Sequence, residues 1–256
     1  MPAHRFLLRE LVRRDLQGRY AGSALGVLWS FLQPLWQLLL FTFVFEVVLR
    51  MRPVGEGTDR FWVFLLCGLL PWMAVQEGVS RGATAITDNA NLVKKLHFPS
   101  EVLVLTVATA ALVHEAIAAV VLVPALLVLG ELSWRGLPWL LLAVPLQLLL
   151  TCGVGLLLGA VQVFFRDLTQ LVGMLLQAWF YLTPIVYPLG FVPERLRPLL
   201  DLNPLTALVG LYRTALLGGP VPSGSSLSAL VLAALVATAL GWQAFRRLQP
   251  AFVDEL

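Results

Sequence analysis

Three glutamates lie in or at the edge of otherwise apolar stretches of this chain: Glu46, Glu77 and Glu115, with His114 beside the last. Carboxylates at membrane depth are costly and commonly carry ions or protons, so ion relay is the first chemistry to weigh. Each also has a plain structural explanation. Glu46 can snorkel at the end of its apolar run, Glu77 precedes Arg81 by one helical turn, and Glu115 can pair with His114 or with another helix. Other chemistries are poorly supplied. The histidines, His4, His97 and His114, are far apart. Cys67 and Cys152 both lie in apolar stretches, which suggests neither a disulfide framework nor a metal site. No G-x-x-x-x-G-K-[ST] loop is present, and neither lysine follows a glycine, so ATP hydrolysis through that motif is excluded. The chain offers no catalytic set, no metal site and no cofactor site of its own.

The elements that would position these groups are membrane helices. Of 256 residues, 59% are hydrophobic and 13% are charged, against about 25% charged in a soluble domain. An all-α membrane protein follows, with six apolar windows at 25–49, 61–87, 102–129, 139–165, 168–187 and 227–245, each long enough to span a bilayer. Pro34 should kink the first of them. Gly155 and Gly159, like Gly18, Gly22 and Gly26, leave a helix face bare for close approach. The stretch 189–219 is rich in proline and glycine. Its helical pieces, near 193–200 and 203–217, are too short to cross and read as re-entrant or interfacial.

Two polar islands break this pattern. Within 4–20, Leu8, Val12, Leu16 and Tyr20 recur every four residues, while Arg9, Arg13, Arg14 and Arg19 keep to other faces. That is the pattern of a helix lying in the membrane interface. Glu10 with Arg14, and Asp15 with Arg19, have the spacing of helical charge pairs. Residues 88–99 hold both lysines of the protein, Lys94 and Lys95. Asp88 or Asn89 can cap a helix start there, and Pro99 favours an end before it. Leu92, Val93 and Leu96 share a face between those signals, with Asn91 and His97 among the polar positions and Phe98 as a further apolar anchor. This island is either a short amphipathic helix offered to a soluble partner or a basic loop that only fixes orientation.

An even number of spans puts both ends of the chain on one side. Counting basic residues with that side inside gives eleven inside and seven outside, which places both ends and residues 88–99 in the cytoplasm. The basic residues form no long run of the kind that binds nucleic acid. Tryptophans cluster toward the span ends, as an interfacial belt does. Alternatively Trp29, Gln33, Trp36, Trp179, Phe180, Tyr181 and Tyr187 line a path on which sugars stack.

Several ordered segments carry a family likeness: Leu11-Val-Arg-Arg-Asp-Leu-Gln-Gly-Arg-Tyr20, Gln33-Pro-Leu35, Leu70-Pro-Trp72, Asn91-Leu-Val-Lys-Lys-Leu-His-Phe-Pro99, Arg166-Asp-Leu168, Thr183-Pro-Ile-Val-Tyr-Pro188 and Asn203-Pro-Leu-Thr206 with Tyr212-Arg213. Over nearly its whole length the chain resembles permease subunits of ABC-2-type polysaccharide exporters, the family of O-antigen, capsule and teichoic-acid export. The resemblance implies one transmembrane domain over 1–256, with an interface helix at 4–20, a coupling helix at 88–99 and outer gate helices at 189–219. It also implies a non-catalytic subunit working with two copies of a separate ABC ATPase, which uses ATP and Mg, and with a second copy of itself. The cargo would be a lipid-linked polysaccharide, moved across the bacterial inner membrane. Other readings stay open from the residues alone: an exporter of drugs or small lipids, a polytopic enzyme of envelope synthesis, or an ion-coupled carrier.

Overall fold

A computed structural model describes residues 9–15, 29–95 and 99–256, and every regular element among them is helical. Residues 9–15 form α1. After it come α2 (Trp29–Phe41), α3 (Phe61–Asp88), α4 (Ala90–Lys95), α5 (Glu101–Leu129) and α6 (Leu140–Gln162). The chain continues through α7 (Leu168–Leu182), α8 (Arg197–Asp201), α9 (Pro204–Leu217), α10 (Gly224–Leu248) and α11 (Phe252–Glu255). Among the described residues, four helical segments are long and apolar enough to cross a membrane: Phe61–Asp88, Glu101–Leu129, Leu137–Gln162 and Gly224–Glu255. Leu35–Val48, Leu168–Leu182 and Pro204–Leu217 are apolar but shorter.

Several expected boundaries differ: the fourth window ends at Gln162, the sixth runs from Gly224 to Leu248, and the first and fifth differ most. The first apolar window is helical through Pro34 but loosens into a π-helix over Thr42–Val48. The fifth ends at Leu182, five residues early, because Pro184 has no amide hydrogen to continue the helix and forces Thr183 into extended backbone, φ −106° and ψ 136°. At ~1.5 Å per residue α7 is then only about 22 Å long.

The helix α3 is the axis of the fold, with α5, α6 and α9 packed around it. Seventeen of its 28 residues are buried, including Phe61, Phe64, Cys67 and Trp72. Small residues set the approach of its neighbours. A Cβ on Gly159 would lie 2.8 Å from the Gly82 carbonyl oxygen, so the Gly155/Gly159 face admits the backbone of α3. Gly153 of α6 and Gly241 of α10 meet in the same way. Gly18, Gly22 and Gly26 lie outside the described residues. Prolines 71, 124 and 145 sit inside α3, α5 and α6; Pro71 is buried, whereas Pro124 and Pro145 lie on the exposed face of the bundle.

The ends of these helices are set by local chemistry. Gly130 takes the left-handed conformation (φ 71°) that stops α5, and Gly218 (φ 69°) stops α9. At the start of α9 the Asn203 side chain accepts from the Leu205 amide at 3.1 Å, with Pro204 in the first turn. Buried apolar side chains fall into two clusters. A large one surrounds α3, α9 and the Ile185–Val186 segment, and a small one lies where α3, α5, α6 and α10 meet α4 and α11.

Candidate functional site

The junction around α4 is built from the end of α3. At Asn89 the backbone leaves the helix (φ −112°, ψ 25°). Its side chain donates to the Ala85 carbonyl at 2.9 Å, satisfying an orphan acceptor of α3. Its own carbonyl accepts from the Leu92 and Val93 amides at 2.9 and 3.2 Å. Asn89 therefore joins the two helices through side chain and backbone together, whereas the sequence suggested only a side-chain cap. Val93 packs inward on the small cluster, and Asn91 and Lys94 are exposed. The six residues of α4 thus have one seated face and one open, basic face. The side chain of Lys95 and all of Leu96, His97 and Phe98 lie outside the described residues.

Next to α4, a cavity of about 470 Å³ is bounded by Leu11, Arg14, Asp15, Arg81, Asn89 and Leu92, with α5 closing it. In α1, Arg9, Arg13 and Arg14 are exposed while Leu11, Val12 and Asp15 are partly covered. Leu8, Leu16, Arg19 and Tyr20, from the same expected interface helix, lie outside the described residues. A chain of charge starts at Asp15. Its carboxylate is bonded to the Arg81 guanidinium, which also reaches Glu77 at 3.3 Å, and Glu77 contacts His114 Nδ1 at 3.2 Å. The expected Glu77–Arg81 pair is present, and the partner of Asp15 is found 66 residues further along the chain.

Deeper in the bundle a buried polar chain crosses three helices. Gln147 of α6 donates to Glu115 of α5 at 2.5 Å, and the Tyr212 hydroxyl of α9 donates to the Gln147 carbonyl oxygen at 2.6 Å. Glu115 thus takes the second of its two expected partners, another helix, while His114 faces Glu77. One residue beyond Tyr212, Arg213 is 3% exposed. Its guanidinium donates to the carbonyls of Pro184 and Ile185, both at 2.8 Å, and to that of Phe64 at 3.4 Å. The same group lies 3.5 Å from the Phe64 ring centroid, a cation–π contact out of water. Nothing in the spacing of Arg213 marked this role; the available signals were its place in the Tyr212-Arg213 pair of the family likeness and its charge inside an otherwise apolar helix.

The aromatic residues divide. Trp36 is 67% exposed and Tyr181 52%, whereas Phe180 is turned inward against Trp72 and Phe41. Trp179 donates to Asn203 at 2.8 Å, and the Tyr187 hydroxyl donates to the Tyr181 carbonyl at 3.0 Å. Of the expected path, then, Trp36 and Tyr181 present open faces, Trp179 and Tyr187 are partly covered, and Phe180 belongs to the core. Its position on α7 explains this: Val172, Leu176 and Phe180 recur every four residues along the buried face. The side chains of Trp29 and Gln33 lie outside the described residues. Among the described residues no group of histidine, cysteine and acidic side chains could hold a metal ion.

Among the described residues the fold is all helical, with several helices long and apolar enough to cross a membrane, which makes this a multi-pass membrane protein. The chain belongs to the ABC-2 type transporter family, whose sequence model matches residues 7–217. It is 36% identical over 247 residues to the O-antigen export system permease protein RfbA of Myxococcus xanthus, covering 94% of this chain and 90% of that one. Its identity to the O-antigen export system permease protein RfbA of Klebsiella pneumoniae is 30%, over 98% and 95% of the two chains. The polysialic acid transport protein KpsM of Escherichia coli is 28% identical, over 95% and 93%.

Proposed function

We propose that this chain is the permease subunit of an ATP-driven exporter that carries a lipid-linked polysaccharide, such as an O-antigen, capsule or teichoic acid, across the bacterial inner membrane. The observation that carries the reading is full-length similarity to polysaccharide export permeases, joined to an exposed basic face on α4. Two copies of this chain enclose the path, and two copies of a separate ABC ATPase bind ATP and Mg. The chain crosses the membrane six times with both ends in the cytoplasm. The α7 segment, with its extended continuation to Tyr187, makes the fifth crossing, and α8 and α9 form re-entrant gate pieces on the outer side.

In this mechanism the chain does no chemistry and transmits displacement. ATP-driven closure of the partner moves α4, the ~9 Å rod of six residues. The long helices α3 and α5, joined directly to it, carry the movement inward. Lys94 and Lys95 meet acidic groups on the partner, while Leu92, Val93, Leu96 and Phe98 anchor the element. The arginine face of the interface helix, with Arg9, Arg13, Arg14 and Arg19, rests on membrane lipid headgroups. Trp36 and Tyr181 offer sugars an open stacking surface.

Affinity purification of the chain from its native membrane tests this. An ABC ATPase recovered at equal stoichiometry, and loss of export in Lys94→Glu/Lys95→Glu with the protein still folded, are the expected results. Normal export by that double variant, or transport by the purified chain without ATPase, defeats the reading. Export of small amphiphiles instead of polymer by the reconstituted complex would reassign the cargo.

A further inference from the structure

The stretch that follows the last long helix folds back under α4. Gln249–Ala251 makes a single tight turn, and α11 then packs directly on α4. Phe252 is fully buried, its ring edge-on to Phe245 at 5.3 Å and tilted against Phe164 at 6.3 Å. Val93 of α4 and Leu256 rest on that same cluster. A second tie lies on the other side of the junction, where the Gln249 side-chain amide donates to the Ser100 hydroxyl at 3.2 Å, just before α5. The two ties bracket residues 90–100.

We infer that Gln249–Leu256 is a buttress that holds α4 in position, with Phe252 as its principal positioning residue. A helix of six residues does not hold its shape in water by itself, because nucleation costs more than so few hydrogen bonds return. It keeps one orientation only if a face is seated in a packed cluster. The apolar floor that α3 and α5 provide comes from the two helices that α4 itself joins. Phe252 and Leu256 come from the far end of the chain, so α10 and α11 provide a footing independent of the joined pair. An element that receives force from outside needs such a footing, since without it the force tilts the element before it moves the helices. The outward side of α11, with Val253, Asp254 and Glu255, is exposed, so the buttress keeps one face to solvent.

The inference rests on the reading of α4 as the docking element, and the experiment separates the two. In purified complex, hydrogen exchange at residues 90–95 and the ATP consumed per polymer exported are measured for Phe252→Ala, Phe252→Leu and Lys94→Glu/Lys95→Glu. Phe252→Ala is expected to raise exchange at 90–95 roughly tenfold, leaving α3 and α5 protected, as loss of a local anchor does. ATP consumed per polymer should rise with it, and Phe252→Leu should restore both. Unchanged exchange, a rise spread evenly over the long helices, or a local rise with unchanged ATP per polymer would each overturn the buttress. Normal export by the lysine variant would instead defeat the docking reading, whatever the exchange shows. If Phe252→Ala is not recovered folded, Gln249→Leu carries the same two readouts by removing the tie to Ser100 alone.

Discussion

Two arginines sit in the bundle under opposite conditions. Arg213 is fully enclosed and is held by three backbone carbonyls and an aromatic face, with no carboxylate among its hydrogen-bond partners in the described residues. Arg81 keeps 35% of its side chain accessible and is held by two carboxylates, one of them on α1. The planar guanidinium fork must meet backbone carbonyls whose places the fold sets, so the Arg213 site depends on geometry and joins α9 to α3 and to the 184–185 segment. Carboxylates on separate helices tolerate rotation and exchange with water. The α9 end is therefore held by backbone out of water, and the α1–α3 junction by side-chain charges that solvent reaches.

Removing Arg213 should have the largest effect. Arg213→Leu leaves the carbonyls of Pro184 and Ile185 without their donor inside the protein, at about 1–3 kcal/mol for each group left unsatisfied, while that of Phe64 keeps its helical amide. Thermal unfolding in detergent should show a large loss of stability or no folded protein at all. Arg213→Lys sharpens the point. It keeps the charge but lacks the planar fork, so it should recover only part of the loss. Full recovery by lysine would mean that charge, and not geometry, holds this end.

Gly68→Ala tests the same clamp from the opposite side. A Cβ there would lie 2.8 Å from Arg213 Nη2, so the guanidinium must shift against its carbonyls. A cost of about 1–3 kcal/mol is expected, as for other overpacked sites. The effect should vanish in the Arg213→Leu background, where the space is already vacated. A third step down is Tyr212→Phe, which removes only the donor to Gln147 and should cost about 1 kcal/mol. Its measurable sign is an unfolding temperature lowered slightly while expression stays normal.

Much of this contrast was hidden in the sequence. The long spans were legible because apolar runs above ~18 residues have few other uses, and the α4 island stood out as the place where both lysines lie between two such runs. The seam between α3 and α6 was half legible, since Gly155 and Gly159 announce a bare face but not which helix fills it. The Asp15–Arg81 pair could not be read, because a local pair with Arg19 satisfied the same charge at helical spacing. The role of Gln249–Leu256 was also out of reach of the sequence. A single phenylalanine in eight residues has no periodicity, and its weight comes only from Phe164 and Phe245, distant in sequence.

The smallest effect expected is at the Arg81 junction. A double-mutant cycle of Asp15→Asn and Arg81→Gln should give a coupling of about 0.2–1 kcal/mol, the range of partly exposed pairs. That coupling should shrink as salt is raised, since screening reaches a pair open to solvent and does not reach Arg213. Hydrogen exchange across residues 9–15 should rise in either single variant while α3 stays protected, because α3 is buried along most of its length and the pair ties α1 to it. Polymer export should respond more than stability does, if α1 and α3 must separate and rejoin in each cycle. A cycle energy as large and as salt-insensitive as the Arg213 effect would erase the distinction between the two ends, leaving no soft joint at which α1 could move.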